Sequence, residues 1–169
     1  VVLFYGMPIP TPADHPNPRA REKPLTALQH LVETGQGILI LHHALMSYPN
    51  WPFWDRLTGM GGRDKFEYYD DQEFEIDVAD RQHPITRGLQ NWHIHDETYV
   101  LPEPGEGSQV LFSTGYAKSM KAIGWVREVE RARIFNFQPG HDRHAWENPV
   151  FRLALARGIA WCAGEAASG

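Results

Sequence analysis

Cysteine is the scarcest residue of this chain: among 169 residues there is one, Cys162. A single thiol excludes an internal disulfide and a cysteine-rich zinc site, and it fits a reducing compartment. Long apolar runs are missing too, so no segment reaches the roughly 20 residues that a membrane-crossing helix needs. No signal peptide is visible. Positive charge is in short supply, with 16 Lys and Arg against 21 Asp and Glu and a formal net charge of -5. That balance disfavours a general nucleic-acid role, which calls for a basic face. These absences predict a cytoplasmic protein with neither nucleic acid nor membrane as a partner. The chain also lacks a methionine before Val1-Val2-Leu3-Phe4-Tyr5-Gly6. This stretch reads as a buried strand that would need neighbours on both sides. The expectation is that a βα portion precedes it outside this sequence.

What is present is ordinary in bulk and unusual in detail. With 42% hydrophobic and 22% charged residues the composition is that of a soluble globular domain. The length fits one domain, expected over residues 1–164, with a flexible tail of small residues at 165–169. Six tryptophans and 12% aromatics stand out, many of them in polar, Pro/Gly-rich stretches where rings often line pockets.

Hydrophobic patterning gives the elements. Met7 to Arg21 reads as a loop in which His15 is solvated. A helix is expected from Pro24, with Leu25, Leu28, Leu31 and Val32 on one face, His30 at its surface and Gly35 at its end. Gly37-Ile38-Leu39-Ile40-Leu41 is a continuous apolar run, suited to a strand buried on both faces. Strand, helix and strand make a βαβ unit, so Val1–Tyr5 and Gly37–Leu41 should lie near each other and parallel. A short helix follows over Trp51–Leu57, where Trp54 packs on the sheet and Trp51 either packs or walls a pocket. Phe74–Val78, Trp92–Tyr99, Val110–Ser113, Ala122–Val126 and Ala132–Phe137 read as strands. The short connections among the last three predict antiparallel pairing. His83-Pro84-Ile85-Thr86 is a turn that His83 holds. Asn148 and Pro149 start a final helix with Phe151, Leu155 and Ile159 on its buried face, and Cys162 is an inert packing residue in its last turn.

Three polar clusters carry the chemistry. His42 and His43 end the apolar strand, where an open α/β sheet collects its ligands. Trp92-His93-Ile94-His95-Asp96-Glu97-Thr98-Tyr99 is the second; in a strand His93, His95 and Glu97 share one face and Ile94, Asp96 and Thr98 the other. Gln138-Pro139-Gly140-His141-Asp142-Arg143-His144-Ala145-Trp146 is the third, again past a strand end. Imidazoles beside carboxylates serve as general acid and base or bind a divalent metal. The competing reading makes the second cluster a solvated edge strand and one of His42 and His43 a strand cap.

Taken in order, Gly37 to Ala44, His83-Pro84-Ile85-Thr86-Arg87-Gly88-Leu89, Asp96-Glu97-Thr98-Tyr99, Gly140-His141-Asp142 and Asn148-Pro149-Val150-Phe151-Arg152 to Gly158-Ile159-Ala160-Trp161 resemble the ThuA-like, or trehalose-utilisation, family. The resemblance covers Val1 to Gly164. It implies a class I glutamine-amidotransferase-like fold, a flavodoxin-like three-layer α/β/α sandwich with a mostly parallel sheet and additional antiparallel strands. Amidotransferases of that type carry a cysteine at a sharp turn after a central strand. Here the comparable turn holds His42 and His43, so glutamine hydrolysis is not expected.

The function expected from the family is carbohydrate metabolism. One reading is an enzyme acting on a disaccharide, glycoside or keto-sugar, with His43, Asp96, Glu97 and His141 as catalytic residues converging in one pocket. In it His42, Trp51, His144 and Trp146 bind substrate, with His42 the more structural of its pair. A divalent metal such as zinc would sit on His43, Glu97 and His141. The other reading is a non-catalytic sugar-binding or assembly module. A small-molecule carbohydrate is the expected partner in both, and association with further copies of the chain is left open.

Overall fold

A computed structural model describes residues 1–165; the expected tail at 165–169 lies, from Ala166 onward, outside the described residues. Seven strands form one sheet: β1 (Val2–Phe4), β2 (Ile38–Leu41), β3 (Glu67–Val78), β4 (Trp92–Val100), β5 (Gln109–Ser113), β6 (Ala122–Val129) and β7 (Ala132–Phe137). Their order across the sheet is β1-β2-β7-β6-β5-β3-β4. As the βαβ reading requires, β1 and β2 are neighbours and parallel, in register Val2 with Ile38 to Phe4 with Ile40. β2 and β7 are parallel as well.

Every other pairing is antiparallel. The expected mostly parallel sheet is therefore corrected to a mixed and mainly antiparallel one. The reason lies in connection length. A parallel partner needs a long crossover, whereas Ala122–Val129 reaches Ala132–Phe137 through two residues.

Helix α1 (Pro18–Thr34) starts one proline earlier than expected. The Asn17 side chain accepts from the Arg19 N–H, Pro18 takes the first position, and the helix runs on through Pro24. Gly35 ends it at φ 79, a left-handed conformation that glycine adopts without penalty. Helix α2 (Pro52–Thr58), α3 (Arg143–Glu147) and α4 (Pro149–Cys162) complete the chain, the last capped by Asn148 as read.

Alternation along the central strands sorts the core. Ile38, Ile40 and Ile134 face α1 and α2, packing on Leu28, Val32, Trp54 and Leu57. Leu39, Leu41, Phe135 and Phe137 face α4, packing on Phe151, Ala154 and Leu155. No helix among the described residues is long and apolar enough to cross a membrane.

The β3–β4 ribbon positions the site. β3 starts seven residues before the expected Phe74, because Glu67–Gln72 is too polar to show strand alternation and is held by pairing with β4. Only Asp77 and Val78 pair with β5. In a flat sheet β4 would stand four spacings, or about 19 Å, from β7. Yet an Asp96 carboxylate oxygen lies 2.6 Å from the Gly140 nitrogen just past β7. The antiparallel arm therefore curls back over the carboxyl ends of the parallel strands.

Candidate functional site

Three parallel strands end at one place. Tyr5 follows β1, His42 and His43 follow β2, and Gln138 to His141 follow β7. His42 sits at φ 51, a left-handed backbone that costs a non-glycine residue about 1 kcal/mol or more and turns the chain sharply. The turn continues as a short 3-10 helix over His42–Met46. Buried Arg63 braces it from behind, donating to the carbonyls of Leu45, Ser47, Tyr48 and Met60 and pairing with Asp55 at 2.6 Å.

His42 is fully buried, yet it does not point away from the site. Its Nδ1 lies 2.7 Å from the Gln138 carbonyl oxygen. A carbonyl only accepts, so Nδ1 carries the proton and Nε2 keeps the lone pair. Nε2 faces the Tyr99 hydroxyl at 2.7 Å, His141 Nδ1 at 3.3 Å and Glu97 Oε1 at 3.7 Å. Burial drives the His42 pKa down to about 3, so the ring is neutral. The His42 ring thus serves the backbone with one nitrogen and faces the site with the other. Half-buried His43 lies beside it, with ring centroids 4.2 Å from His42 and 5.5 Å from His141. Burial lowers its pKa as well.

Glu97 Oε2 stands 3.1 Å from His141 Nδ1, and burial raises the Glu97 pKa. Asp96 plays a different part. Its carboxylate accepts the N–H groups of Gly140, His141 and Glu97 at 2.6, 3.0 and 2.9 Å, tying the ribbon to the loop after β7. Burial pushes its pKa up to about 6 against the pull of those donors. Among the described residues, His42, His43, Glu97 and His141 each offer one ligand atom, all within 4.8 Å of one another.

Next to this cluster opens a cavity of about 270 Å³ lined by Asp70, Asp71, His95, Asp96, Glu97, His141, Asp142 and His144. His144 lies 3.0 Å from Asp142, and its ring centroid is 4.5 Å from that of His95 at a tilt of 46°. Trp51 and Trp146 do not line it. Trp51 is packed between Tyr48 and Phe53 in the core. Trp146, partly exposed, packs edge-on against Tyr5 and Phe151 and donates its Nε1–H to the Gly140 carbonyl, bracing the loop.

Sequence reasoning gave no role to Tyr5, Arg63, Tyr99 or Gln138. Tyr5 donates to the Gly140 carbonyl at 2.8 Å. Tyr99 closed the Asp96-Glu97-Thr98-Tyr99 motif, which was the available signal for it. Cys162 is buried, gives its S–H to the Ile38 carbonyl at 3.2 Å, and has a thiol pKa pushed up by burial to about 12.

The ThuA family, described as trehalose utilisation, matches residues 11–162. This chain belongs to the ThuA family. None of the curated proteins matches it. Among solved structures, a ThuA-like protein from Parabacteroides merdae superposes with a TM-score of 0.77 at 21% identity, over 88% of this chain and 68% of that one. A ThuA-like protein from Bacteroides uniformis gives 0.69 at 20% identity, over 96% and 69%. A cytoplasmic protein from Salmonella typhimurium gives 0.63 at 13% identity, over 88% and 62%. At these identities the likenesses carry the fold alone. Membership of the family brings with it a setting in carbohydrate metabolism.

Proposed function

We propose that this ThuA-family chain is an enzyme acting on a disaccharide, glycoside or keto-sugar by histidine–carboxylate acid–base chemistry. The observation that carries it is the 3.1 Å contact between Glu97 Oε2 and His141 Nδ1 at the edge of the cavity. A carboxylate there accepts a hydrogen bond from Nδ1–H, which keeps the proton on Nδ1 and leaves Nε2 of His141 as the basic atom. His141 is the base toward a sugar hydroxyl or a carbon beside a keto group. His43, kept neutral by burial, is the second proton-transfer group, and Asp96 holds the loop that presents His141. His95, His144 and the acidic walls supply hydrogen bonds to sugar hydroxyls. Neither tryptophan stacks on the sugar in this scheme.

Glutamine hydrolysis has no place in it, since the buried Cys162 thiol holds its proton and bonds a strand carbonyl. In this reading residues 1–164 form one domain of the three-layer α/β/α amidotransferase-like type, supported by α1 and α2 packing on one sheet face and α4 on the other. The protein works in the cytoplasm, as the label of the Salmonella neighbour suggests.

The test is turnover of trehalose-type disaccharides and their keto derivatives. Loss of a general base costs about 10²–10⁴ in rate, so His43→Ala and His141→Ala are expected to lose that much with circular dichroism unchanged. Sugar binding without turnover by the native chain would turn the reading to a binding module.

A further inference from the structure

We infer that His42, His43, Glu97 and His141 form a mononuclear site for a divalent first-row transition ion of the zinc type. This goes beyond the acid–base scheme above, since an imidazole held on an ion through His141 Nδ1 or through His43 is no longer free as a base, and its test uses the ion alone.

The spacing is the first argument. Ligand atoms about 2.1 Å from a tetrahedral zinc stand about 3.4 Å apart. His42 Nε2 to His141 Nδ1 is 3.3 Å, His42 Nε2 to Glu97 Oε1 is 3.7 Å and Glu97 Oε2 to His141 Nδ1 is 3.1 Å. These three side chains thus approach one another at about the separations such a tetrahedron needs, Glu97 turning one oxygen toward each histidine. His43 belongs to the same group, the four residues offering ligand atoms within 4.8 Å of one another.

The second argument is orientation. A ligating histidine has its other nitrogen committed to a carbonyl or carboxylate, which fixes the tautomer. The His42 Nδ1 contact with Gln138 does this, leaving Nε2 toward the cluster. Asp96 fixes the backbone of His141, not its ring, and so holds the position from which that ring reaches the cluster. Donor chemistry selects the ion: three imidazoles and one carboxylate suit zinc, cobalt or nickel, whereas magnesium and calcium want oxygen throughout. The cavity, which Glu97 and His141 both line, gives access from solvent and room for a water or substrate oxygen on the ion.

Tyr99 is the positioning residue of this site. Its hydroxyl takes the same His42 Nε2 lone pair that the ion needs. Loading the ion therefore displaces the hydroxyl from His42.

The experiment is a titration of the chelator-stripped chain with Zn(II), and with Co(II) as a spectroscopic probe. One ion per chain is expected, with visible Co(II) bands of a four- or five-coordinate site. His141→Ala and Glu97→Gln each weaken binding by about 100-fold. Tyr99→Phe strengthens it by about tenfold, the worth of one hydrogen bond that no longer competes. His30→Ala, on the exposed face of α1, leaves it unchanged. Because His42 is buried and strained, its substitution is replaced here by those at His141 and Glu97, whose folding is verified by circular dichroism. Absence of stoichiometric binding, unchanged affinity in the His141→Ala, Glu97→Gln double variant, or weaker binding in Tyr99→Phe overturns the site. Sugar turnover that persists in excess chelator overturns it too and leaves the acid–base reading standing. One bound ion without turnover of any sugar supports the site and sinks only that reading.

Discussion

The two arms of the sheet contribute to the site in opposite ways. The parallel arm, β1, β2 and β7, ends in loops, and it delivers Tyr5, His42, His43 and His141 from strand termini. The antiparallel ribbon of β3 and β4 delivers Asp96, Glu97 and Tyr99 from the middle of a strand, by lying across those termini. A strand end presents side chains to whatever lies beyond the sheet. A strand middle does so only where the sheet bends. The parallel arm is thus a standing platform, and the ribbon is a cover whose value depends on where it is held.

Removing the brace behind the platform has the largest expected effect. Arg63→Met leaves four carbonyls and Asp55 without their buried partner. A loss of about 3 kcal/mol is expected in urea unfolding. A midpoint unchanged from the native chain would show that the turn after β2 supports itself.

Next comes the tie between the two arms. In Asp96→Asn one amide nitrogen faces the backbone N–H of Gly140 or His141, donor against donor. About 2 kcal/mol is the expected cost, concentrated in faster hydrogen exchange at residues 139–142. Exchange that quickens equally in β1 and β2 would mean that Asp96 supports the whole fold rather than the junction.

Acid separates the arms more gently. Burial holds His42, His43 and, in the turn after β3, His83 below the ordinary histidine pKa of 6.5. The unfolded chain then binds protons at these rings that the folded chain refuses, so their share of the stability is present above about pH 6.5 and declines as pH falls below it, while the two carboxyls raised by burial, Asp96 and Glu97, oppose that decline. In chelating buffer the unfolding midpoint should fall from pH 7 to 5, and His83→Ala should remove part of that slope. A slope unaffected by His83→Ala assigns the whole effect to the platform.

The smallest effect belongs to Cys162. Cys162→Ser keeps a hydrogen-bond donor toward Ile38 and touches nothing at the site, so any turnover should stay within about threefold of the native value, far under the loss expected for a true acid–base group. A collapse of activity in a folded variant would break the assignment of chemistry to the histidines.

The residues themselves determined much of the platform. An unbroken Ile38–Leu41 run ending in two histidines must be an interior strand with imidazoles at its end, because apolar periodicity and strand termini are local properties. Asn148-Pro149 and Gly35 set helix limits for the same reason, through caps and one permitted dihedral. The polar Glu67–Gln72 stretch carried no such pattern, so half of β3 was unreadable. Only the tertiary structure decided that β4, last in the sheet, curls back to place Glu97 against His141 and the Tyr99 hydroxyl on His42. It also turned Trp51 into core and made the second nitrogen of buried His42 a site atom. The contacts of Glu97, Tyr99 and His42 depend on pairings between residues roughly 40 to 100 positions apart, and a local pattern holds no record of which distant backbone will supply the other half of a hydrogen bond.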